Sequence, residues 1–183
     1  MNKPFSLGIM VGRFQTLHTG HEQMIRIGLE LCREVGIFIG SSQESGTLKN
    51  PFSYEMRKSF FEAVFGDSVK VYPLPDIGVG NNATWGEYVL QETMNRFDRY
   101  PDLLISGKEE RRLDWFDGIH GLSVSELYIP KAIDISASEM RSFYLDNEVD
   151  AWKQYMNPRL WGKYEELRRI MARSKDHPES ASI

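Results

Sequence analysis

Short apolar runs alternate along this chain with longer stretches whose apolar residues recur every three or four positions. Residues 6–11 (SLGIMV), closed by Gly12, form such a run and predict a buried strand. From Gly20 the period changes. Met24, Gly28, Leu31 and Val35 fall at helical spacing, while Gln23, Arg26, Glu30 and Arg33 supply a polar face. Cys32 lies inside this helical stretch and reads as a small buried hydrophobe. Residues 36–40 (GIFIG) predict a second strand, followed by a polar loop over 41–50. Ser53 is placed to cap a helix that carries Met56, Phe60, Phe61 and Val64 on one side. Residues 69–72 predict a third strand ended by Pro73 and Pro75, and 76–83 are rich in turn formers. Trp85, Val89 and Met94 mark a third helix, residues 103–106 (LLIS) a fourth strand, and 127–129 part of a fifth. Helices over about 138–145 and 158–173 complete the pattern, and the polar tail 174–183 is expected to be disordered.

Strands alternating with helices predict an α/β fold. It would be a Rossmann-like parallel sheet of about five strands with right-handed crossovers and helices on both faces. In such sheets ligands bind beyond the carboxyl ends of the strands, near the point where strand order reverses. The loops after Val11, Gly40, Tyr72, Ser106 and Ile129 are therefore where a site is expected. At 183 residues the chain suits one domain, over residues 1–173. A formal net charge of −4 argues against a surface built to grip nucleic acid, and leaves room for a local basic site for a small phosphorylated ligand. A single cysteine excludes an internal disulfide. The first residues lack a secretory pattern and no apolar run approaches the ~20 residues of a membrane helix, so a cytoplasmic protein is expected.

The loop after the first strand concentrates unusual residues: Gly12, Arg13, Phe14, Gln15, Thr16, Leu17, His18, Thr19, Gly20 and His21. Gly12 permits a sharp turn where a ligand approaches. His18 and His21, three apart, are expected in the first turn of the next helix and on one side of it. Free N–H groups and the positive dipole end make that terminus an anion site, and two imidazoles there can donate to phosphate oxygens. Gly20 keeps the surface between them open. A helical His pair can also bind zinc, but that needs further ligands, and only His120 and His177 remain. A second run, Ile135-Ser136-Ala137-Ser138-Glu139-Met140-Arg141, offers Ser136 or Ser138 as a helix cap. Arg141 falls in the opening turns, where a guanidinium can reach a phosphate bidentately, or can simply be solvated.

The first segment resembles the signature of the nucleotidyltransferase superfamily, Gly-Arg-Phe-Gln-Pro-x-His-x-Gly-His in its nicotinamide-mononucleotide adenylyltransferases. Thr16 stands at the usual proline, which bears on loop rigidity. The second run resembles that superfamily's Ile-Ser-x-Ser/Thr-x-x-Arg, whose serine and helix start bind the triphosphate while the arginine neutralises it. Ser41-Ser42-Gln43 and the segment from Thr47 through Lys49 to Phe52 are similar to stretches of the archaeal-type enzymes, as are Pro75-Asp76-Ile77 and Asn82-Ala83-Thr84-Trp85.

The resemblance implies ATP bound through Gly12, Phe14, Gly20, Ser106, Gly107, Ser136 and Ser138. It implies the metabolite at Ser41, Asp76, Asn82 and Trp85, and catalysis by His18, His21, Arg13, Lys49 and Arg141. Arg57 falls where the archaeal-type enzymes have an arginine. Trp85 can stack on a nicotinamide ring or anchor its helix in the core. Lys108 replaces an asparagine after Ser106-Gly107, and with Trp115-Phe116 marks the region least like the archaeal pattern. The implied reaction is adenylyl transfer from ATP to nicotinamide mononucleotide with Mg²⁺, in NAD biosynthesis, with no protein metal site. Partners would be ATP and a small phosphorylated metabolite, neither nucleic acid nor membrane, with self-association left open. The alternatives are another phosphorylated acceptor on the same chemistry, a class I aminoacyl-tRNA synthetase fragment sharing His-x-Gly-His, and a non-catalytic nucleotide sensor.

Overall fold

A computed structural model of the chain describes residues 2–78, 81–107, 112–116, 119, 121–130 and 133–175. Five parallel strands form one sheet in the order β3-β2-β1-β4-β5. They are β1 (Phe5–Gly12), β2 (Cys32–Gly40), β3 (Lys70–Leu74), β4 (Leu103–Ser106) and β5 (Ser125–Tyr128). Successive strands step outward from β1 to β3, and then the chain crosses back to lay β4 on the other side of β1. Strand order therefore reverses between β1 and β4, which opens a crevice at their carboxyl ends.

Side chains alternate between two cores, as the strand period requires. Met10, Ile37, Ile39, Leu103 and Ile105 enter one core, with Ile25 of α1 (Thr19–Leu31), Phe60 and Phe61 of α2 (Tyr54–Phe65) and the C-terminal helices. Ile9, Val11, Phe38, Leu74 and Leu104 enter the other, with Val89 of α3 (Asn82–Phe97) and Trp115 of a 3-10 turn over Leu113–Phe116. The expected α/β sheet with helices on both faces is what the chain forms.

The elements differ from the sequence reading in four places. The first helix stops at Leu31, short of Val35, and Cys32 opens β2 opposite Phe5. The helix passes into the strand without a loop, and the thiol packs where a Cβ on Gly8 would lie 2.5 Å from its sulfur. Cys32 is a buried small hydrophobe as expected, and burial raises its pKa to about 11. Next, β3 runs through Pro73 to Leu74, because it is an edge strand, where proline can be tolerated. A further helix, α5 (Val149–Tyr155), follows α4 (Ala137–Leu145), its seven residues anchored by fully buried Trp152. Lastly, the final helix divides into a 3-10 segment over Pro158–Lys163 and α6 (Tyr164–Ser174). Of the tail, Ser174 and Lys175 are described; residues 176–183, like Lys108 and His120, lie outside the described residues.

Candidate active site

A cleft of about 660 Å³ opens over the carboxyl ends of the strands, and all five strand-end loops contribute to it. Its first wall is built on the face of α1 and α4. His18 is the N-cap of α1, with φ −139° and ψ 168°, so it precedes the first turn in which it was expected; His21 lies within that turn. Extended backbone at the cap swings His18 back over the helix start, and the two imidazoles stack with centroids 3.7 Å apart and planes 28° apart. A Cβ on Gly20 would stand 3.1 Å from the His18 ring, so glycine there keeps the ring's place.

Phe14 supports the pair from below. It is 3% exposed and stands edge-on to both His21 and Phe61, each at 5.0 Å. Left-handed backbone falls on Phe14 (φ 50°) and, in the neighbouring loop, on Ser41 (φ 46°), not on Gly12. Gly12 itself ends β1 in register with Ile39, and a Cβ there would crowd the Phe14 ring at 3.1 Å.

Three arginines organise this wall. Arg141 of α4 donates from Nη1 to the Gln15 carbonyl and from Nη2 to Ser138 Oγ, both at 3.1 Å. Gln15 is in turn locked to Phe52, donating from Nε2 to its carbonyl at 3.1 Å and accepting its N–H at 2.9 Å. Ser136, rather than Ser138, caps α4, accepting the Glu139 N–H. Arg57 of α2 is fully buried. It donates to the carbonyls of Arg13 (2.9 Å), Gly40 (2.8 Å) and Ser41 (3.0 Å), tying two strand-end loops together from beneath.

Burial, and then the Arg13 charge, lowers the pKa of fully buried Arg57 to about 10 and that of half-buried Arg141 in the same direction. At about 10, Arg57 remains cationic at neutral pH. Cations gathered this closely with two imidazoles create a demand for an anion.

The second wall is aromatic. Trp85 lies in the first turn of α3, lines the cleft, and meets Trp115 edge-on at 6.2 Å and 83°. It is half-buried against the second core, so it both anchors its helix and presents a surface to the cleft. A Cβ on Gly86 would fall 1.6 Å from the Trp115 carbonyl oxygen; α3 and the 3-10 turn pack this closely only because Gly86 has none. The cleft floor carries Ser106 and Gly107 at the end of β4, and Asp76 lies beyond β3 with its N–H donated to Gln43 Oε1 at 3.0 Å.

Thirteen of the expected residues thus line one cleft: Gly12, Arg13, Phe14, His18, Gly20, His21, Ser41, Asp76, Trp85, Ser106, Gly107, Ser136 and Arg141. Three stand outside its lining. Lys49 is exposed on the loop between β2 and α2. Asn82 is exposed and donates to Asp114. Ser138 accepts from Arg141. The sequence reading missed Arg112, which lines the cleft, and Glu126, which accepts from Ser106 Oγ. The only signal for either was charge within a poorly patterned stretch.

A family model described as cytidylyltransferase-like matches residues 9–142. The nicotinamide-nucleotide adenylyltransferase of Thermococcus onnurineus (strain NA1) is 42% identical over 96 residues, 50% of this chain and 50% of that protein. That of Saccharolobus solfataricus is 41% identical over 90 residues, 46% of this chain and 51% of the relative. The matches span about half the length of these curated relatives. A crystal structure of a bifunctional NMN adenylyltransferase/ADP ribose pyrophosphatase from Francisella tularensis, complexed with AMP and Mn ion, superposes with a TM-score of 0.72 and 25% identity. It covers 94% of this chain and 51% of that one. Plasmodium falciparum nicotinic acid mononucleotide adenylyltransferase shares the fold, with a TM-score of 0.58, 16% identity, and coverage of 92% of this chain and 98% of that one. With its two motifs converging on one cleft and the family model spanning both, the chain belongs to the cytidylyltransferase-like family of nucleotidyltransferases.

Proposed function

We propose that this cleft transfers the adenylyl group of ATP to the 5′-phosphate of nicotinamide mononucleotide, giving NAD and pyrophosphate. The observation that carries the reading is the convergence of His18, His21 and Arg141, distant in sequence, on one cleft. The names of the archaeal relatives and of the Francisella enzyme support the acceptor.

An oxygen of the acceptor phosphate attacks the α-phosphorus, forming the new P–O bond as the bond from the α-phosphorus to the bridging oxygen breaks. The pair of electrons leaves with pyrophosphate. No covalent enzyme intermediate is needed, so catalysis consists of positioning and charge stabilisation. His18 and His21 donate to the transferring phosphate and its bridging oxygen. Arg13 and Arg141 neutralise the triphosphate and the departing pyrophosphate, with Lys49 contributing from the rim. Ser136 and the start of α4 meet the triphosphate, while Gly12, Gly20, Ser106 and Gly107 allow the nucleotide a close approach to backbone. Trp85 stacks on the nicotinamide ring, and Ser41, Asp76 and Asn82 meet the acceptor's polar groups.

Among the described residues no three His, Cys, Asp or Glu side chains gather to hold a metal. The lining is cationic and imidazole-rich, a donor set that suits Mg²⁺ carried on ATP by phosphates and water. Bound so, the ion would offset charge on the triphosphate. The Mn ion in the Francisella structure supports a divalent ion in this role. Residues 1–173 act as one catalytic domain in this reading, and the reaction is placed in the cytoplasm. No helix among the described residues is long and apolar enough to cross a membrane.

Incubation with ATP, Mg²⁺ and a panel of phosphorylated acceptors, read by mass spectrometry, tests the assignment. NAD is the expected product. A dinucleotide formed with pantetheine phosphate or flavin mononucleotide instead would replace the acceptor.

A further inference from the structure

The second wall holds a cation that the reaction as described leaves unused. Arg112 lines the cleft at the junction of the carboxyl ends of β1 and β4, where strand order reverses. Its Nη1 donates to the Val11 carbonyl at 3.0 Å, and its guanidinium lies 4.6 Å from the centroid of the Trp115 ring. Its backbone N–H donates to Glu126 Oε1 at 3.0 Å, and the same oxygen accepts from Ser106 Oγ at 2.6 Å. One carboxylate on β5 thus buckles the end of β4 to the segment that carries Arg112. Trp115 is fixed in its turn by the Gly86 contact. Three separate interactions therefore aim this guanidinium, from the face of the sheet that carries Trp85 and away from the face of α1 and α4.

The division of charge gives the placement a meaning. On the first wall Arg13, Arg141 and the two imidazoles serve the donor's triphosphate. The acceptor brings an anion of its own, which must lie beside the α-phosphorus with its sugar and ring directed toward Trp85. Two phosphates cannot be brought to bonding distance without cationic screening. A planar guanidinium held at the switch point between the walls supplies that screening from the acceptor's side and matches phosphate geometry. We propose that Arg112 is a binding residue for the acceptor's 5′-phosphate and that Glu126 is its positioning residue; this rests on the adenylyl-transfer reading above.

The test is a steady-state comparison of wild type, Arg112→Met, Arg112→Lys and Glu126→Gln. KM is measured for ATP, nicotinamide mononucleotide and nicotinic acid mononucleotide, and folding is checked by melting temperature. Loss of a charged hydrogen bond predicts that Arg112→Met raises KM for both acceptors by ~10–100-fold and equally, with KM for ATP and kcat little changed. Arg112→Lys recovers part of the loss as a point charge, and Glu126→Gln moves the same constants in the same direction by less. Should Arg112→Met fail to fold, the latter two variants carry the same comparison. A rise confined to KM for ATP, a rise confined to the nicotinic acid form, or no change in any KM would overturn the inference. Wild-type protein that forms no dinucleotide at all would overturn the adenylyl-transfer reading and this inference with it.

Discussion

The two walls of the cleft are made in different ways. The first joins two motifs that are each built locally and lie far apart in sequence: the end of β1 with the start of α1 carries Arg13, His18 and His21, and the capped start of α4 carries Ser136 and Arg141. The second is assembled by packing. Trp85 and Trp115 are thirty residues apart in sequence, and they form a wall because α3 meets the 3-10 turn at Gly86 with almost no clearance. Chemistry that must be reproduced in every turnover sits on local geometry. In the proposed reaction, the surface assigned to the acceptor sits on tertiary contact, which can vary without disturbing the residues assigned to the phosphates.

Disrupting the support of the first wall should have the largest effect. Arg57→Met leaves the buried carbonyls of Arg13, Gly40 and Ser41 without their donor. At ~1–3 kcal/mol for an unsatisfied buried group, the loss should reach roughly 3–5 kcal/mol, visible as a lower urea midpoint. Removing a donor from the first wall without disturbing its support should leave stability nearly unchanged. His18→Ala is expected to lower kcat by on the order of 10²–10³, the usual cost of one preorganised donor, at saturating ATP and acceptor.

The second wall should respond differently. Gly86→Ala forces a Cβ against the Trp115 carbonyl, so α3 and the turn must separate. A destabilisation of about 1–3 kcal/mol is expected by thermal melting, with a higher KM for the acceptor and an unaltered KM for ATP. An ATP KM that rises as much as the acceptor's would erase the distinction between the walls.

The smallest effect concerns Cys32, which opens β2 at the end of the sheet opposite the cleft. Its folded pKa, about 11, lies above the ordinary value of 9.0, so its contribution to stability is complete below about pH 9 and is lost as pH rises through 11. At pH 8 iodoacetamide should leave the native protein unlabelled and add one equivalent in urea, as read by intact mass. Prompt labelling of the native protein would mean that the join between α1 and β2 opens readily.

The same contrast explains what was legible in the sequence. Strand runs, the cap at Ser53 and both motifs are local signals, and they led to the sheet, its two faces and thirteen of the cleft-lining residues. Where local signals ended, the reading did too. Periodicity carried the first helix through Cys32 to Val35, because the polar Arg33 and Glu34 between these two apolar residues also suit a helix, and only pairing with Phe5 shows that a strand has begun. Asn82 was read by its motif alone, and its partner in the fold, Asp114, lies thirty-two residues away, where no local signal points. Arg112 and Glu126 sit in a stretch of mixed charge whose meaning appears only when β5 pairs with β4. Arg57 was noted only as matching an arginine of the archaeal-type enzymes, and its place as the buried tie beneath the site becomes visible only in the fold.

The central claim is that the bond broken in ATP lies between the α- and β-phosphates and that the α-phosphorus passes to the acceptor. Parallel reactions with [α-³²P]ATP and [γ-³²P]ATP, Mg²⁺ and nicotinamide mononucleotide test it most directly. The account predicts that the α label appears in NAD and the γ label in pyrophosphate, and that both signals fall together in His18→Ala. Release of the γ label as orthophosphate, or α label that never enters a dinucleotide, would contradict it.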